Sequence, residues 1–253
     1  MRKLILAVVE GLALFWKVIP SPIRRKFFFF LFVMESRGRQ SRRGITRLFL
    51  LEDELNRAIN ERALALGEGE HPKHRLVPYH QFFIENLKNC QSVIDIGCGY
   101  GAVARSIAGA LPSVAVLGID NHSGRLNQAI QSNNPINLDF LLVDISNFQP
   151  RKAFDAVVLS NVLEHMHDRI LALQQIAQKT KARQFLIRVP LFERHWSIPL
   201  RKELGINYYQ DDDHKIEHTI SEFYSEIESS GLRVKDLQTV WGEIWAVCVN
   251  EKS

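Results

Sequence analysis

The sequence predicts an α/β fold in which parallel strands alternate with helices. An apolar strand at residues 93–96 runs into a glycine-dense turn, and a helical stretch follows from Ala102. Two further apolar strands each lead to an aspartate, Asp120 or Asp144. Because ligands bind at the carboxyl ends of the strands in an open parallel sheet, the two acids indicate a ligand site at that edge.

The turn after the first strand contains Gly97, Gly99 and Gly101. Glycines allow the backbone to come close to a ligand, and the helix that follows offers free N–H groups to a polar or negative group. Asp95 lies inside the preceding apolar strand. A buried carboxylate is costly unless it is paired or meets a ligand, so we expect Asp95 to serve the ligand site.

The remaining elements follow from the same patterns. Predicted strands occupy residues 114–120, 138–144, 154–159, 184–190, 232–240 and 243–249, and a helix spans residues 167 to about 180. Thr219 and Glu222 predict the start of another helix, which ends at Gly231. The last two strands are separated by Trp241 and Gly242, which predicts a hairpin.

With these residues in place, the chain resembles the class I S-adenosylmethionine-dependent methyltransferases. Their first motif is a strand ending in D/E-x-G-x-G-x-G, which Asp95 and the three glycines match. Residues 160–165 (SNVLEH) are similar to the S/N-x-x-L-E-H segment of the same family. The resemblance covers roughly residues 72–249. It implies a Rossmann-like seven-stranded sheet of order 3-2-1-4-5-7-6 with the last strand antiparallel.

The glycine turn by itself leaves a second interpretation open. Gly97, Gly99 and Ala102 also fit the looser fingerprint of NAD-binding enzymes. Asp144 separates the two interpretations, because in the methyltransferase family the acid at this place accepts a hydrogen bond from the adenine amino group. A simple NAD fingerprint requires no such acid, so we expect the cofactor to be S-adenosylmethionine.

The resemblance also implies a role for each residue of the cofactor site. Asp120 is expected to bind the ribose hydroxyls, and the backbone N–H of Ile145 to contact the adenine ring. Asn161 belongs to the segment that flanks the transferred methyl group. Arg75 lies in a segment similar to that of methyltransferases encoded with bacterial surface-polysaccharide genes, and its guanidinium suits the carboxylate of the cofactor. The full predicted set is Asp95, Gly97, Gly99, Gly101, Asp120, Asp144, Ile145, Asn161 and Arg75.

Transfer to a hydroxyl requires a base for the acceptor proton, and neutral histidine suits that role at physiological pH. The histidines expected after the fourth and fifth strands are His165, His167, His214 and His218, and we expect His165 or His214 to be the base. The acidic run at 211–213 followed by two histidines also resembles a divalent-cation site. Nothing in the spacing fixes a ligand geometry, so we expect a solvated acidic loop and no metal.

The favoured function is methyl transfer from S-adenosylmethionine to a hydroxyl of a sugar or lipid-linked glycan. Trp196 and the tyrosines of the insertion at 191–218 suit a sugar face. Methylation of a quinone, lipid or small secondary metabolite stays open, as does a non-catalytic protein that binds the cofactor as a sensor. Glu164 next to His165 favours catalysis over sensing.

Composition is that of a globular protein with an uneven charge distribution. The chain has 253 residues, a length that allows a substantial core. Hydrophobic residues make up 46% of it and charged residues 24%, which is ordinary for a globular protein. Three cysteines without metal spacing indicate a reducing, cytoplasmic compartment. Residues 1–50 carry 11 Lys/Arg and two acidic residues, whereas the rest carries 21 Lys/Arg and 26 Asp/Glu. The positive excess therefore lies entirely in the first segment.

We predict two domains, a basic, apolar helical extension at residues 1–70 and the methyltransferase domain at residues 71–253. Two helices broken at Pro20 are expected, with Ser21 as the N-cap of the second. Their apolar runs are shorter than the ~20 residues of a membrane span, and Glu10 interrupts what would otherwise imitate a signal peptide. The extension is expected either to act as a lid or to lie at the inner face of the membrane. Nucleic acid is not an expected partner.

Overall fold

The structure, a computed structural model, describes residues 2–67 and 71–251, and the side chains of these residues other than 2–8, 10 and 74. The described residues divide into two compact units. The helical unit comprises the chain up to His71 together with Glu203–Ile206, and the sheet unit comprises Pro72–Lys202 and the chain from Asn207 onward. The division before Pro72 lies beside the domain boundary predicted from the sequence.

The helical unit contains α1 (Arg2–Val18), α2 (Ser21–Ser36) and α3 (Ser41–Leu66). The predicted break at Pro20 is confirmed, but the prediction of Ser21 as the N-cap of α2 is wrong. Pro20 occupies the cap position and no side chain caps the helix. The physical reason is that the carbonyl oxygen of Pro20 already accepts the N–H groups of Ile23 and Arg24, so helical bonding starts one residue earlier.

Two features stabilise the turn between α2 and α3. A Cβ on the buried Gly44 would overlap the carbonyl oxygen of Ser36, so only glycine lets the helices approach this closely. Nη1 of Arg47 donates to the carbonyl oxygen of Glu35 at 3.2 Å. Across the described ranges, every helix falls short of the length and apolar composition that a transmembrane span requires.

Within the described residues, the sheet unit contains one seven-stranded sheet. Its strands are β1 Ser92–Ile96, β2 Ala115–Asp120, β3 Leu138–Leu142, β4 Ala156–Ser160, β5 Gln184–Pro190, β6 Arg233–Val240 and β7 Glu243–Val249. The order is β3-β2-β1-β4-β5-β7-β6, with β7 antiparallel to both of its neighbours and the other pairs parallel. The sheet predicted from the resemblance is confirmed. Because β2 and β4 flank β1 on opposite sides, a crevice opens at the carboxyl ends of these strands.

The third strand is shorter than the pattern at 138–144 predicts. β3 ends at Leu142, which pairs with Asp120 at the end of β2. The carboxylate of Asp144 accepts the backbone N–H of Ser146 at 2.8 Å, which makes a local turn. This turn takes Asp144 out of the sheet and leaves it just beyond the strand end.

Helices and two short 3₁₀ turns connect the strands. They are α4 Lys73–Leu76, α5 Tyr79–Leu87, α6 Ala102–Ala110, α7 Ser123–Gln131, Leu163–His165 (3₁₀), α8 Arg169–Thr180, Phe192–Arg194 (3₁₀), α9 Ser197–Leu204 and α10 Ile220–Ser229. The predicted start of α10 is confirmed, because the Thr219 hydroxyl accepts the N–H of Glu222 and the Glu222 carboxylate accepts the N–H of Thr219.

Hydrophobic side chains form a cluster on each face of the sheet. Along β4, Val157 and Leu159 belong to one cluster and Ala156 and Val158 to the other, as the alternation of side chains across a strand requires. Side chains of α8 and α10 complete the first cluster, and those of α5 and α6 complete the second. Burial on both faces explains the uninterrupted apolar runs and gives the strand ends a rigid base.

Candidate active site at the strand ends

The turn after β1 depends on its glycines. Gly97, Gly99 and Gly101 have positive φ angles of 69°, 54° and 73°, a region that favours glycine. A Cβ at Gly97 would lie 2.8 Å from Cγ2 of Val162, and one at Gly101 would lie 2.5 Å from Cζ of Phe140. Gly99 has open space around it. Backbone conformation thus favours glycine at all three positions, and lack of space requires it at two of them.

The carboxylate of Asp120 connects β2 to this turn. Its Oδ2 accepts the N–H of Gly99 at 2.8 Å, and its Oδ1 accepts the N–H of His122 at 2.7 Å. The residue is buried. Because each carboxylate oxygen has a second lone pair, Asp120 can hold the turn and still accept hydrogen bonds from the hydroxyls of a ligand.

Asp144 is fixed by three hydrogen bonds. Its Oδ1 accepts the hydroxyl and the backbone N–H of Ser146 at 2.6 and 2.8 Å, and its Oδ2 accepts the side-chain amide of Asn121 at 3.1 Å. The hydroxyl of Ser146, its N–H and then the amide of Asn121 lower the pKa of Asp144. The side chain therefore stays an ionised acceptor at neutral pH.

Asp95 is buried in β1 without full pairing. It is 1% exposed, and its Oδ2 has no hydrogen-bond partner among the described residues. Burial raises the pKa of Asp95 to about 7, against the opposing N–H of Ala104, and the carboxylate of Asp120 adds to the rise. A buried oxygen without a partner lowers the stability of the fold. This cost supports the prediction that Asp95 serves the ligand site.

These residues surround a cavity of about 380 Å³ at the carboxyl ends of the central strands. Its lining consists of Ile96, Gly97, Ile119, Asp120, Asn121, Arg125, Val143, Asp144, Ile145, Asn161, Val162, His165, Met166 and Asp213. Of the residues predicted for the cofactor, Gly97, Asp120, Asp144, Ile145 and Asn161 line it, whereas Asp95, Gly99, Gly101 and the exposed Arg75 do not. Apolar and polar side chains contribute about equally to this lining. A concave site with convergent polar groups is typical of small-molecule binding.

The structure brings the two predicted catalytic histidines together. The ring centroids of His165 and His214 are 4.8 Å apart, and the rings meet edge to face at 81°. Nδ1 of His165 lies 3.2 Å from Oδ2 of Asp213. Nδ1 of His214 lies 3.1 Å from Oε1 of Glu217. Each imidazole therefore has its own carboxylate beside it.

The surroundings shift the pKa values of the two imidazoles in opposite directions. Burial lowers the pKa of His165, Asp213 opposes this, and the neighbouring His214 lowers it further. Burial also disfavours protonation of His214, but the hydrogen bond to Glu217 and the nearby carboxylate of Glu164 outweigh it and raise its pKa. His165 is therefore the imidazole that stays neutral more readily at physiological pH.

Glu164 is fully buried next to this pair. Asn161, whose φ is 56°, donates from Nδ2 to Oε1 of Glu164 at 2.7 Å. The other carboxylate oxygen, Oε2, has no hydrogen-bond partner among the described residues. Burial raises the pKa of Glu164 to about 7, although its backbone N–H, Asn161 and His214 oppose the rise.

The other candidate histidines lie apart from this pair. His167 is exposed. His218 is buried, with Nε2 3.1 Å from Oε1 of Glu226, whose second oxygen accepts a hydrogen bond from Arg169. Because His214 and His218 have different carboxylate partners, the structure does not join the acidic run and both histidines in one ligand set.

An ion pair between β5 and β7 was missed by the sequence reasoning. Arg188 makes two hydrogen bonds of 2.6 Å to Glu243, and its guanidinium lies 4.0 Å from the ring centroid of Tyr79. Nε1 of Trp245 also donates to Glu243. An arginine inside an apolar strand was the available signal, but its partner depends on the antiparallel register of β5 and β7.

Comparisons with known proteins agree with this geometry. A family described as a methyltransferase domain matches residues 93–183. The chain is 24% identical over 170 residues to (S)-tetrahydroprotoberberine N-methyltransferase of Eschscholzia californica, which covers 56% of this chain and 48% of that protein. The family match, this relative and the order of the sheet together support a class I S-adenosylmethionine-dependent methyltransferase domain.

Solved structures show the same fold for this methyltransferase domain. One is the plantazolicin methyltransferase BpumL in complex with SAH, with a TM-score of 0.55, 17% identity, and coverage of 77% of this chain and 89% of that chain. Another is the small RNA methyltransferase HEN1, with a TM-score of 0.59 and 17% identity. The match covers 69% of this chain and 25% of that chain. The chain spans less than half the length of the first curated relatives it matches.

The glycine turn of the methyltransferase domain leads to a prediction on stability. Gly101→Ala is expected to lower the free energy of unfolding by about 2–5 kcal/mol, because the left-handed φ costs about 1–2 kcal/mol and the contact with Phe140 about 1–3 kcal/mol. Gly99→Ala is the matched control, since it carries only the cost of φ. Urea denaturation of both variants measures the difference, and equal losses would contradict the steric assignment.

The buried carboxylate of Asp95 leads to a prediction on pH. The pKa of Asp95 is about 7 in the folded chain, against an ordinary value of 3.8. Between about pH 4 and pH 7 the folded chain therefore keeps a proton on Asp95 that the unfolded chain has lost. The free energy of unfolding therefore falls as pH rises from about 4 to 7 and is level above that. Asp95→Asn is expected to remove part of this fall, on the order of a few kcal/mol. Denaturation series at pH 5 and pH 8 measure it, and parallel pH profiles for variant and wild type would refute it.

Proposed function

We propose that the enzyme binds S-adenosylmethionine in the cavity at the strand ends and transfers its methyl group to an acceptor hydroxyl. The observation that carries the proposal is the lining, in which Asp120 and Asp144 share one cavity with His165. A turn without room for a side chain at Gly97 and Gly101 also fits a ligand held close to the backbone. The oxygen of Asp95 that has no partner among the described residues fits it as well. When bound, the cofactor supplies an activated methyl group on a sulfonium.

The chain's own residues divide the work of binding and orienting. Asp120 accepts the ribose hydroxyls with the lone pairs left by Gly99 and His122, and Asp144 with the N–H of Ile145 holds the adenine. Both carboxylates are already fixed by backbone or side-chain donors, so binding costs little reorganisation. Arg75 does not line the cavity, and its pairing with the cofactor's carboxylate stays a prediction.

His165 is placed to take the acceptor proton. It lines the cavity, and burial lowers the pKa of its imidazole, so the ring stays neutral and able to accept a proton. His214 is the alternative base, but it does not line the cavity and its Nδ1 contacts Glu217. A base near the methyl end suits a hydroxyl, which must lose its proton as the new bond forms.

A sugar or a lipid-linked glycan is the acceptor class that we favour. Support comes from the insertion at 191–218, where Trp196 is exposed and the rings of Tyr208 and Tyr209 stack with centroids 4.3 Å apart. Flat aromatic faces suit sugar rings. A small secondary metabolite is the second class, and the similarity to a protein named for N-methylation of tetrahydroprotoberberine supports it. Quinone and lipid acceptors and a sensor function remain as alternatives.

Substitution of His165 tests the proposal. His165→Gln is expected to lower kcat by about 10²–10⁴-fold, the usual contribution of a general base, and to leave donor affinity unchanged. The exposed His167→Gln is the matched control and should behave as wild type. Mass spectrometry of candidate glycan, metabolite and quinone acceptors measures the methyl gain, and calorimetry measures donor binding. Donor binding without methyl gain on any acceptor would favour the sensor, and absence of donor binding would refute the proposal.

We also propose that the helical unit lies on an anionic membrane surface at the inner face. Large apolar side chains of α1 and α2 are exposed, among them Phe15, Val18 and Phe29 at 78%, 80% and 68%. The basic residues of the same region are Arg24, Arg25, Lys26, Arg37, Arg39, Arg42 and Arg43. Exposed apolar surface beside a cluster of positive charge fits the interface of a membrane with anionic lipids.

Vesicle flotation of the full chain tests this membrane contact. Wild type is expected to float with phosphatidylglycerol-containing vesicles at low salt, and less with pure phosphatidylcholine or at high salt. Replacing Phe15 and Val18 by Ser removes two exposed apolar side chains and should weaken binding roughly tenfold or more. Leu66→Ser on α3, where the leucine is also exposed, is the control. Equal flotation of both variants and wild type would exclude the proposed surface.

A further inference from the structure

Among the described residues, three buried polar atoms without hydrogen-bond partners belong to one cluster beside the cavity. They are Oε2 of Glu164, Nδ1 of His165 and Nε2 of His214. One possible ligand atom from each residue lies within 4.8 Å of the others. An unsatisfied buried polar atom costs about 1–3 kcal/mol, so a cluster of three indicates a group that binds them together.

The neighbours of this cluster leave one possible ligand atom free on His214 and one on Glu164. Nδ1 of His214 contacts Glu217, which is itself paired with Arg194, so the ring donates there and keeps a free lone pair on Nε2. Oε1 of Glu164 is occupied by Asn161, which leaves Oε2 free. A histidine whose second nitrogen donates to a carboxylate is the usual arrangement of a metal ligand.

The neighbouring aspartates do not satisfy these atoms. Oδ2 of Asp211 lies 3.5 Å from Nε2 of His214, and Oδ2 of Asp213 lies 3.2 Å from Nδ1 of His165, but neither contact has hydrogen-bond geometry. Both aspartate side chains are about 70% exposed, so they remain solvated. The cluster is therefore open to a ligand that is itself a cation.

We propose that Glu164, His165 and His214 bind a divalent transition-metal cation of the Zn²⁺ class. Two imidazoles and one carboxylate suit such a cation better than Mg²⁺ or Ca²⁺, which take oxygen ligands. Three protein ligands are typical of a catalytic site with an open fourth position. This ligand set differs from the one that the sequence suggested, because His218 is paired with Glu226 and the run at 211–213 is solvated.

The role of the cation in catalysis rests on the proposed function, whereas its binding does not. The acceptor hydroxyl would bind the cation at the open position, which makes the oxygen more acidic. The hydroxyl proton passes to the carboxylate of Asp213, which lines the cavity. The oxygen then forms its bond to the methyl carbon as the carbon–sulfur bond breaks, and that electron pair stays on sulfur. In this form His165 is a ligand and Asp213 is the proton acceptor.

Binding is tested on the full chain after chelator treatment and dialysis. Co²⁺ is the probe, because its visible absorption reports coordination, and Zn²⁺ is then added in competition. One equivalent is expected to bind to wild type and to His167→Gln. Glu164→Gln and His214→Gln should bind at least 10-fold more weakly. Circular dichroism shows which variants are folded, and His165→Gln replaces any that is not. Absence of binding to wild type, or equal binding by all variants, would overturn the site.

The catalytic consequence is tested separately by assaying methyl transfer before and after chelation. Loss of activity on chelation with recovery on addition of Zn²⁺ supports it, and full activity of the metal-free protein overturns it. Co²⁺ binding without donor binding or methyl transfer would leave the site standing and remove the proposed function. Methyl transfer without Co²⁺ binding would leave the proposed function standing and remove the metal site. The failure of one proposal is therefore distinguishable from the failure of the other.

Discussion

The hydrogen bond from the N–H of Gly99 to Asp120 is the interaction on which the candidate site depends. It ties the turn after β1 to the end of β2, and the turn can adopt this shape only because its glycines accept positive φ angles. Phe140 of β3 closes the space beside Gly101, so the third strand also constrains the turn. The three strand ends are thereby held as one rigid edge, which any ligand in the cavity meets already formed.

Burial of charge accompanies this rigidity. Asp95 and Glu164 both lie in the protein interior, each with an oxygen that lacks a partner within the described part of the chain, and burial raises the pKa of each to about 7. Such groups lower the stability of a fold unless a ligand, a proton or a cation satisfies them. Stability given up at these two positions is what we expect at a binding site.

The histidine cluster shows how the insertion between β5 and α10 completes the pocket. Glu217 joins Arg194 to His214 and so orients one imidazole, while Asp213 lies beside the other. The backbone N–H of Lys215 donates to the carbonyl oxygen of Glu164 at 2.7 Å, which attaches the insertion directly to the turn after β4. The same contacts serve a base and a metal site, so only the experiments on cation binding separate the two chemistries.

The α/β class, the order of the main elements and the strand-end acids are predictable from the amino-acid sequence. These depend on local patterns, namely apolar runs, glycines and caps, which act within a few residues. Even the early end of β3 and the cap at Pro20 are small departures caused by local hydrogen bonds. The folded chain was needed to show that Glu164, His165 and His214 meet, that His218 pairs instead with Glu226, and that Arg188 pairs with Glu243. His214 and Glu164, like Arg188 and Glu243, are far apart in the chain, and strand register and loop path, which no local pattern encodes, bring them together.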